Sequence, residues 1–168
     1  PLAFNALRFP LASLVVFVVL RHRGPIPTPA RGDWPRIIAL GVLGNLVYQG
    51  FFIFGLDGTL AGNASILLAT IPVWTLVLST LWKHEAPGPQ VWVGILSTLG
   101  GMVLVVLGGE LTLSLRKGTL LGDILVMVSA MTWGFYVVGS RNLVTKYGSL
   151  PVTAWTLWVG SAGLFFLG

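Results

Sequence analysis

Five stretches of this chain carry no charged side chain: Ile37–Leu56, Gly58–Trp82, Ala86–Gly109, Ile124–Ser140 and Tyr147–Gly168, running for 20, 25, 24, 17 and 22 residues. A sixth stretch, Leu2–Leu20, is interrupted only by Arg8. An α-helix rises about 1.5 Å per residue, so about 20 apolar residues cross a hydrocarbon layer roughly 30 Å thick. Barrel strands would be short and would alternate apolar with polar positions, and these runs do not alternate. The fold class predicted is therefore all-α: a polytopic transmembrane helical bundle with about six spanning helices, near 2–20, 36–54, 60–82, 90–108, 119–139 and 151–168.

Composition points the same way. Only 9% of the 168 residues are charged, against about 25% in an average soluble domain, too few to cover a globule in water. That excludes a soluble enzyme, a disordered tail and a nucleic-acid module. Ten Lys and Arg against five Asp and Glu give a formal charge of +5, but the basic residues fall between apolar runs rather than along a stripe. With no cysteine there is no disulfide framework and no thiolate chemistry.

The breaks between runs carry turn chemistry. Neither Gly24-Pro25-Ile26-Pro27-Thr28-Pro29 nor Ala86-Pro87-Gly88-Pro89 can continue a helix. Successive spans alternate sides, so loops 21–36, 83–89 and 140–150 share one face. They hold Arg21, Arg23, Arg31, Arg36, Lys83, Arg141 and Lys146, whereas the opposite loops hold Arg116 and Lys117. The positive-inside rule makes the richer face cytoplasmic. Residue 1 then lies outside, and a chain whose natural start is cytoplasmic lacks an odd number of spans, so this one reads as a fragment.

Helical neighbours recur at i+3, i+4 and i+7, and that spacing collects polar and aromatic residues onto stripes. Asn45, Tyr48, Gln49 and Phe52 form one; Ser129, Thr132, Trp133, Tyr136 and Ser140 form another. Asn63, Thr70 and Trp74 line a face of the third span, whose Ala61, Ser65 and Ala69 make a small-residue stripe suited to close helix packing. Polar groups interleaved with aromatics can line a solvated cavity for an organic solute, or can merely bond a neighbouring helix. Arg8 sits about two turns into its helix, where a charge costs on the order of 2.5–3.5 kcal/mol; it either snorkels to the outer interface or takes a solute-facing or structural-pair role, with Asn5 on the same face. Pro72 removes one backbone bond near the middle of its span and predicts a kink there.

No catalytic centre is visible. Asp33, Asp57, Glu85 and Glu110 fall in loops, Asp123 falls at a helix start where it suits the dipole, and His22 and His84 fall in loops. No metal site and no cofactor is expected.

The order of these features resembles a known family. Ala61-Gly62-Asn63-Ala64-Ser65-Ile66-Leu67-Leu68-Ala69-Thr70-Ile71-Pro72 resembles the fourth helix of EamA-type members of the drug/metabolite transporter superfamily. Glu85 in the next loop, then Gln90, Trp92, Gly94, Gly100 and Gly101, continue that pattern. Arg8-Phe9 resembles the family's second helix; Gly122-Asp123, Trp133 and Ser140-Arg141 resemble its sixth. The resemblance implies a ten-helix carrier of two five-helix repeats with cytoplasmic termini, of which this chain holds helices two to seven. Residues 1–110 would then belong to the first repeat, 111–118 to a connector and 119–168 to the start of the second. Pro1, Leu7, Ala12 and Leu14 recur as Pro151, Leu157, Ala162 and Leu164, although Trp158 stands where Arg8 would repeat.

The function expected is an inner-membrane carrier that exports or exchanges small organic metabolites or drugs by alternating access. Asn45, Gln49, Asn63 and Thr70 would bond the solute, Tyr48, Trp133 and Tyr136 would wall it, and Arg8 would face it. Its partners would be a small organic solute (metabolite, amino-acid-like compound or drug), the lipid bilayer and, as an option, a second copy in a homodimer; nucleic acid is not among them. The alternative is a polytopic membrane enzyme acting on lipid-linked or small amphiphilic substrates, which would have to gather its acid–base chemistry from His22, Asp33, His84 and Glu85.

Overall fold

The computed structural model describes residues 2–24, 27–82, 88–108 and 120–167, with side chains for 11–22, 24, 27–82, 88–101, 104 and 120–163. Helix α1 spans Leu2–Arg23. A 3₁₀ turn, Arg31–Asp33, leads into α2 (Trp34–Gly41), which passes through a π turn (Val42–Val47) into α3 (Tyr48–Asp57). Then come α4 (Ala61–Ala69), α5 (Ile71–Leu81), α6 (Pro89–Gly108), α7 (Leu120–Tyr147) and α8 (Ser149–Leu167). Because α2–α3 and α4–α5 each run on as one rod, the described residues hold the six expected helices. Arg31–Asp57, Ala61–Leu81 and Leu120–Tyr147 are long and apolar enough, among the described residues, to cross a membrane. Leu11, Phe54, Leu81, Val93, Leu96, Leu104 and Leu121 are largely exposed, a surface suited to hydrocarbon rather than water. The molecule is a helical membrane bundle.

Two expected boundaries are corrected. The loop expected at 21–36 shrinks, since α1 continues to Arg23 and helix resumes at Arg31. The loop expected at 140–150 is almost entirely helix: α7 runs to Tyr147, and only Gly148 separates it from α8. Charge marks where hydrocarbon ends, but Arg and Lys are good helix formers and do not stop the backbone. What stops α7 is Gly148, at φ +88°, whose N–H caps the Val144 carbonyl at 2.8 Å. Near Pro72, where a kink is expected, the helix is interrupted: α4 ends at Ala69, and α5 restarts with Pro72 in its first turn, where a missing N–H costs least. The connector 111–118 and the loop residues Lys83 and Glu85 lie outside the described residues.

The chain divides into two compact units. One comprises residues 1–47 and 139–168. In it α8 packs on α1, on α2 and on the π turn, with Ile37, Val152, Ala154, Trp155 and Thr156 buried. Contact is backbone-close: a Cβ added to Gly160 would fall 2.3 Å from Asn45 Cβ, and one on Gly41 would fall 2.7 Å from Val159 Cβ. At one end of this unit Asp33 accepts hydrogen bonds from Lys146 Nζ (2.7 Å) and the Tyr147 hydroxyl (2.6 Å). Arg36 donates to the Gly139 carbonyl at 2.9 Å. The second unit is 48–138. Its α4 packs on α6 and α3, Gly134 of α7 meets Trp74 of α5 at 3.1 Å from its would-be Cβ, and Gly55 of α3 meets Val126 of α7 at 2.8 Å.

Candidate functional site

The aromatic residues predicted from two separate stripes come together in the second unit. Tyr48, on the first turn of α3, places its ring 4.9 Å from that of Trp133 on α7, and Trp133 lies 5.0 Å from Tyr136. Phe52, one turn along α3, stacks on Tyr48 at 5.9 Å with the ring planes 4° apart. All four rings are half-buried. Offset and tilted aromatic pairs at such separations are worth about 0.5–1.5 kcal/mol each beyond the area they bury, so the cluster holds its own shape. Ser129 and Thr132, expected beside these rings, return their hydroxyls to the Val126 and Val128 carbonyls of their own helix. Gln49 is half-buried on α3 beside Tyr48.

Thr70 occupies the break between α4 and α5. Its hydroxyl donates to the Leu67 carbonyl at 2.6 Å and accepts from Trp74 Nε1 at 3.1 Å. Met127 Sδ of α7 lies 3.8 Å from the same oxygen. The hydroxyl thus caps the last turn of α4 and fixes the Trp74 indole, the device that a proline-interrupted helix needs in lipid, where freed carbonyls find no water.

Asn63 is elsewhere. Buried in the first turn of α4, it donates its amide to both carboxylate oxygens of Asp123, at 3.1 and 3.3 Å. The Thr59 hydroxyl donates to the same carboxylate. Asp123 precedes Trp133 by ten residues, about 15 Å along α7, so the expected single polar-aromatic face resolves into an aromatic cluster and a distant polar latch. Glycine makes the latch: a Cβ on Gly122 would fall 2.3 Å from the Gly58 carbonyl carbon and oxygen. The sequence alone marks Asp123 as suiting the helix dipole and, with Gly122, as part of the family resemblance, and it does not single out Thr59. The signal available was the pairing of Gly58-Thr59 with Gly122-Asp123, two glycines each followed by a side chain that can bond the other.

Asn45 also leaves the expected stripe. Its amide Nδ2 donates to the Gly41 carbonyl at 3.2 Å and to the Thr156 carbonyl of α8 at 3.0 Å. These bonds belong to the first unit, and Tyr48 and Phe52 to the second. Arg8 lies on α1, but its side chain is outside the described residues. Among the described residues no group of three or more His, Asp or Glu could hold a metal ion. A cavity of about 350 Å³ lined by Leu20, Pro27, Tyr147, Ser149 and Pro151 touches none of the expected site residues.

The EamA-like transporter family matches residues 1–107, well over half of the chain. The chain belongs to that family. This bears out the family resemblance, and the Ala61–Pro72 run that carries it lies within the matched residues. The EamA-like chain is 31% identical over 150 residues to the uncharacterized transporter YdfC of Bacillus subtilis, covering 89% of this chain and 46% of that protein. It is 30% identical over 138 residues to the uncharacterized inner membrane transporter YicL of Salmonella typhimurium, covering 82% and 44%. It is 25% identical over 158 residues to a probable terminal-alkyne amino-acid exporter of Streptantibioticus cattleyicolor, covering 94% and 51%. The EamA-like chain spans about half the length of the curated relatives it matches. No solved structure gives a significant match. EamA-like membership and the apolar helices together make this a multi-pass membrane protein.

Proposed function

We propose that this chain forms part of a carrier that exports or exchanges small organic solutes across the inner membrane by alternating access. The observation that carries the reading is the cluster of Tyr48, Trp133, Tyr136 and Phe52: amphipathic rings, half-buried, on spans that are otherwise apolar. Such walls suit a solute with an apolar body. Transport needs no bond-making group, only contacts that differ between two states. The relative from Streptantibioticus, named a probable amino-acid exporter, supports amino-acid-like compounds among metabolites and drugs as the solute class. In this reading residues 1–110 belong to the first of two repeats, 111–118 to a connector and 119–168 to the second, with the solute near the midplane as in other repeat-built carriers. Loops 21–36, 83–89 and the turn at Gly148 face the cytoplasm, on the strength of their basic residues.

Asn45, Asn63 and Thr70 serve as struts, because each is spent on a carbonyl, a carboxylate or an indole. Counterflow of labelled amino acids and of organic dyes into vesicles containing the protein tests the assignment. Tyr48→Ala and Trp133→Ala should each lower flux by about 2- to 12-fold, the factor that 0.5–1.5 kcal/mol corresponds to, at unchanged membrane abundance. Flux indifferent to both substitutions removes the cluster from the pathway.

A further inference from the structure

The compact unit of residues 1–47 and 139–168 contains the cavity of about 350 Å³, a volume in the range of small-ligand sites. It lies where hydrocarbon ends. Leu20 on its wall closes the first apolar run, and Arg21 follows in the chain; Tyr147 on its wall opens the last run, and Lys146 precedes it. Pro27, Leu150 and Pro151 make the rest of the wall largely apolar. Two glycines complete it, Gly24 at φ +129° and Gly148 at φ +88°, each turning the chain in a region that favours glycine. A Cβ on Gly24 would meet nothing within 4 Å, so the space beside it is open.

The walls are held apart by Tyr147. Its hydroxyl accepts from the Ala30 N–H at 2.9 Å and donates to Asp33 at 2.6 Å, and its ring meets Trp155 edge-on at 5.2 Å. The non-helical segment 27–30 is thereby tied to the corner between α7 and α8. Charge then decides what such a cavity takes. Asp33 is the one carboxylate side chain in residues 1–47 and 139–168, and it is spent on Lys146 and Tyr147. Arg36 is spent on the Gly139 carbonyl. Arg21 and Arg31 are exposed, and their side chains have no ion-pair or hydrogen-bond partner among the described residues. Each follows directly on a residue of the cavity wall or of the tied segment, Leu20 or Ala30. Guanidinium forks match phosphate oxygens. At the hydrocarbon edge of a membrane protein, the phosphate at hand is that of the bilayer's own lipids, and basic sites there select anionic ones.

We propose that this cavity seats the headgroup and glycerol of an anionic phospholipid, with its phosphate held by Arg21 and Arg31 and its acyl chains continuing into the bilayer. The site is separate from the aromatic cluster and does not depend on the transport reading.

The chain has no cysteine, so a single introduced thiol reports on its own surroundings. Ser149→Cys puts one on the cavity wall; Asn142→Cys puts one on an exposed part of α7 outside the cavity. Each variant is labelled with a neutral maleimide in nanodiscs of phosphatidylcholine and in nanodiscs that also contain phosphatidylglycerol. Phosphatidylglycerol should slow labelling of Ser149→Cys by about fivefold or more, the factor that one basic residue contributes at a membrane surface. Labelling of Asn142→Cys should hardly change. Adding Arg21→Gln with Arg31→Gln should remove the protection; neither arginine has a partner to lose, so the fold is not at stake. Inorganic phosphate added to phosphatidylcholine nanodiscs should protect nothing. Equal labelling of Ser149→Cys in the two lipids overturns the proposal, and so does equal slowing at both thiols, which is a surface effect. Protection that survives loss of both arginines overturns it too. Protection by inorganic phosphate alone overturns it by giving the cavity to a free anion.

Discussion

Replacing Gly122 by Ala should open the latch between the start of α7 and the turn before α4. An added Cβ would sit 2.3 Å from the Gly58 carbonyl group and 2.7 Å from Thr59 N. Ordinary contact begins near 3.4 Å, so the two backbones must separate by about 1.1 Å, and backbone yields less readily than a side-chain tip. The Asn63–Asp123 hydrogen bond, now 3.1 Å, would then stretch to about 4.2 Å, beyond hydrogen-bonding range. The Thr59–Asp123 bond would open with it. Hydrogen bonds to a charged group are worth about 1.5–3 kcal/mol each; Asp123 is half-exposed, so the lower end applies to both. Alanine returns roughly 1 kcal/mol of helix propensity. The net cost is about 2 kcal/mol, read as a lower midpoint of unfolding in a denaturing detergent. Gly94→Ala on α6, where nothing lies within 4 Å, is the internal control and should be neutral or slightly stabilising. If Gly122→Ala unfolds at the same midpoint as the parent, the close approach of Gly58 and Gly122 is not what seats Asp123, and the argument fails.

Other outcomes follow from the same geometry. Gly160→Ala, which meets Asn45 Cβ at 2.3 Å, should destabilise by about 2 kcal/mol or more, whereas Gly163→Ala, which meets the flexible tip of Leu46 at 2.5 Å, should cost clearly less in the same unfolding assay. Lys146→Ala removes an exposed ion pair and should barely move the unfolding midpoint, while Tyr147→Phe, which takes a partner from both Asp33 and the Ala30 N–H, should lower it clearly. Asp33 and Lys146 flank the uncharged stretches Ile37–Leu56 and Ile124–Ser140. The hydrogen bonds from Lys146 and then Tyr147 hold the Asp33 carboxyl below its ordinary range, and the Lys146 ammonium is correspondingly held above its own. The stability this gives is present above the ordinary carboxylate pKa and is lost as pH falls through the lowered one. The difference between parent and Asp33→Asn should therefore shrink on acidification.

The site was legible in part. Trp133 and Tyr136 on one helical face, and Tyr48 with Phe52 on another, were readable from spacing, because α-helical period alone puts i+3 and i+4 together. Asn45 belongs to one compact unit and Tyr48 to the other, and no spacing rule reveals that the Asn45 amide donates to the Thr156 carbonyl of α8, 111 residues away. Asn63 was drawn correctly onto a helical face, but its partner Asp123 lies 60 residues away in sequence, and only the approach of Gly58 to Gly122 makes them neighbours.

What the chain's residues settled unaided was the architecture: runs of about 20 uncharged positions that do not alternate as barrel strands would become helices in lipid, where the backbone must be satisfied within the segment. The interruption near Pro72 is likewise local, written in a residue that lacks an N–H, whereas the extent of α7 up to Gly148 became plain only in the fold. Tertiary packing decided which partner each polar side chain takes. Amides, hydroxyls and carboxylates in a low-dielectric interior take whatever partner comes within 3 Å, and that partner is set by how closely two glycines let two helices approach.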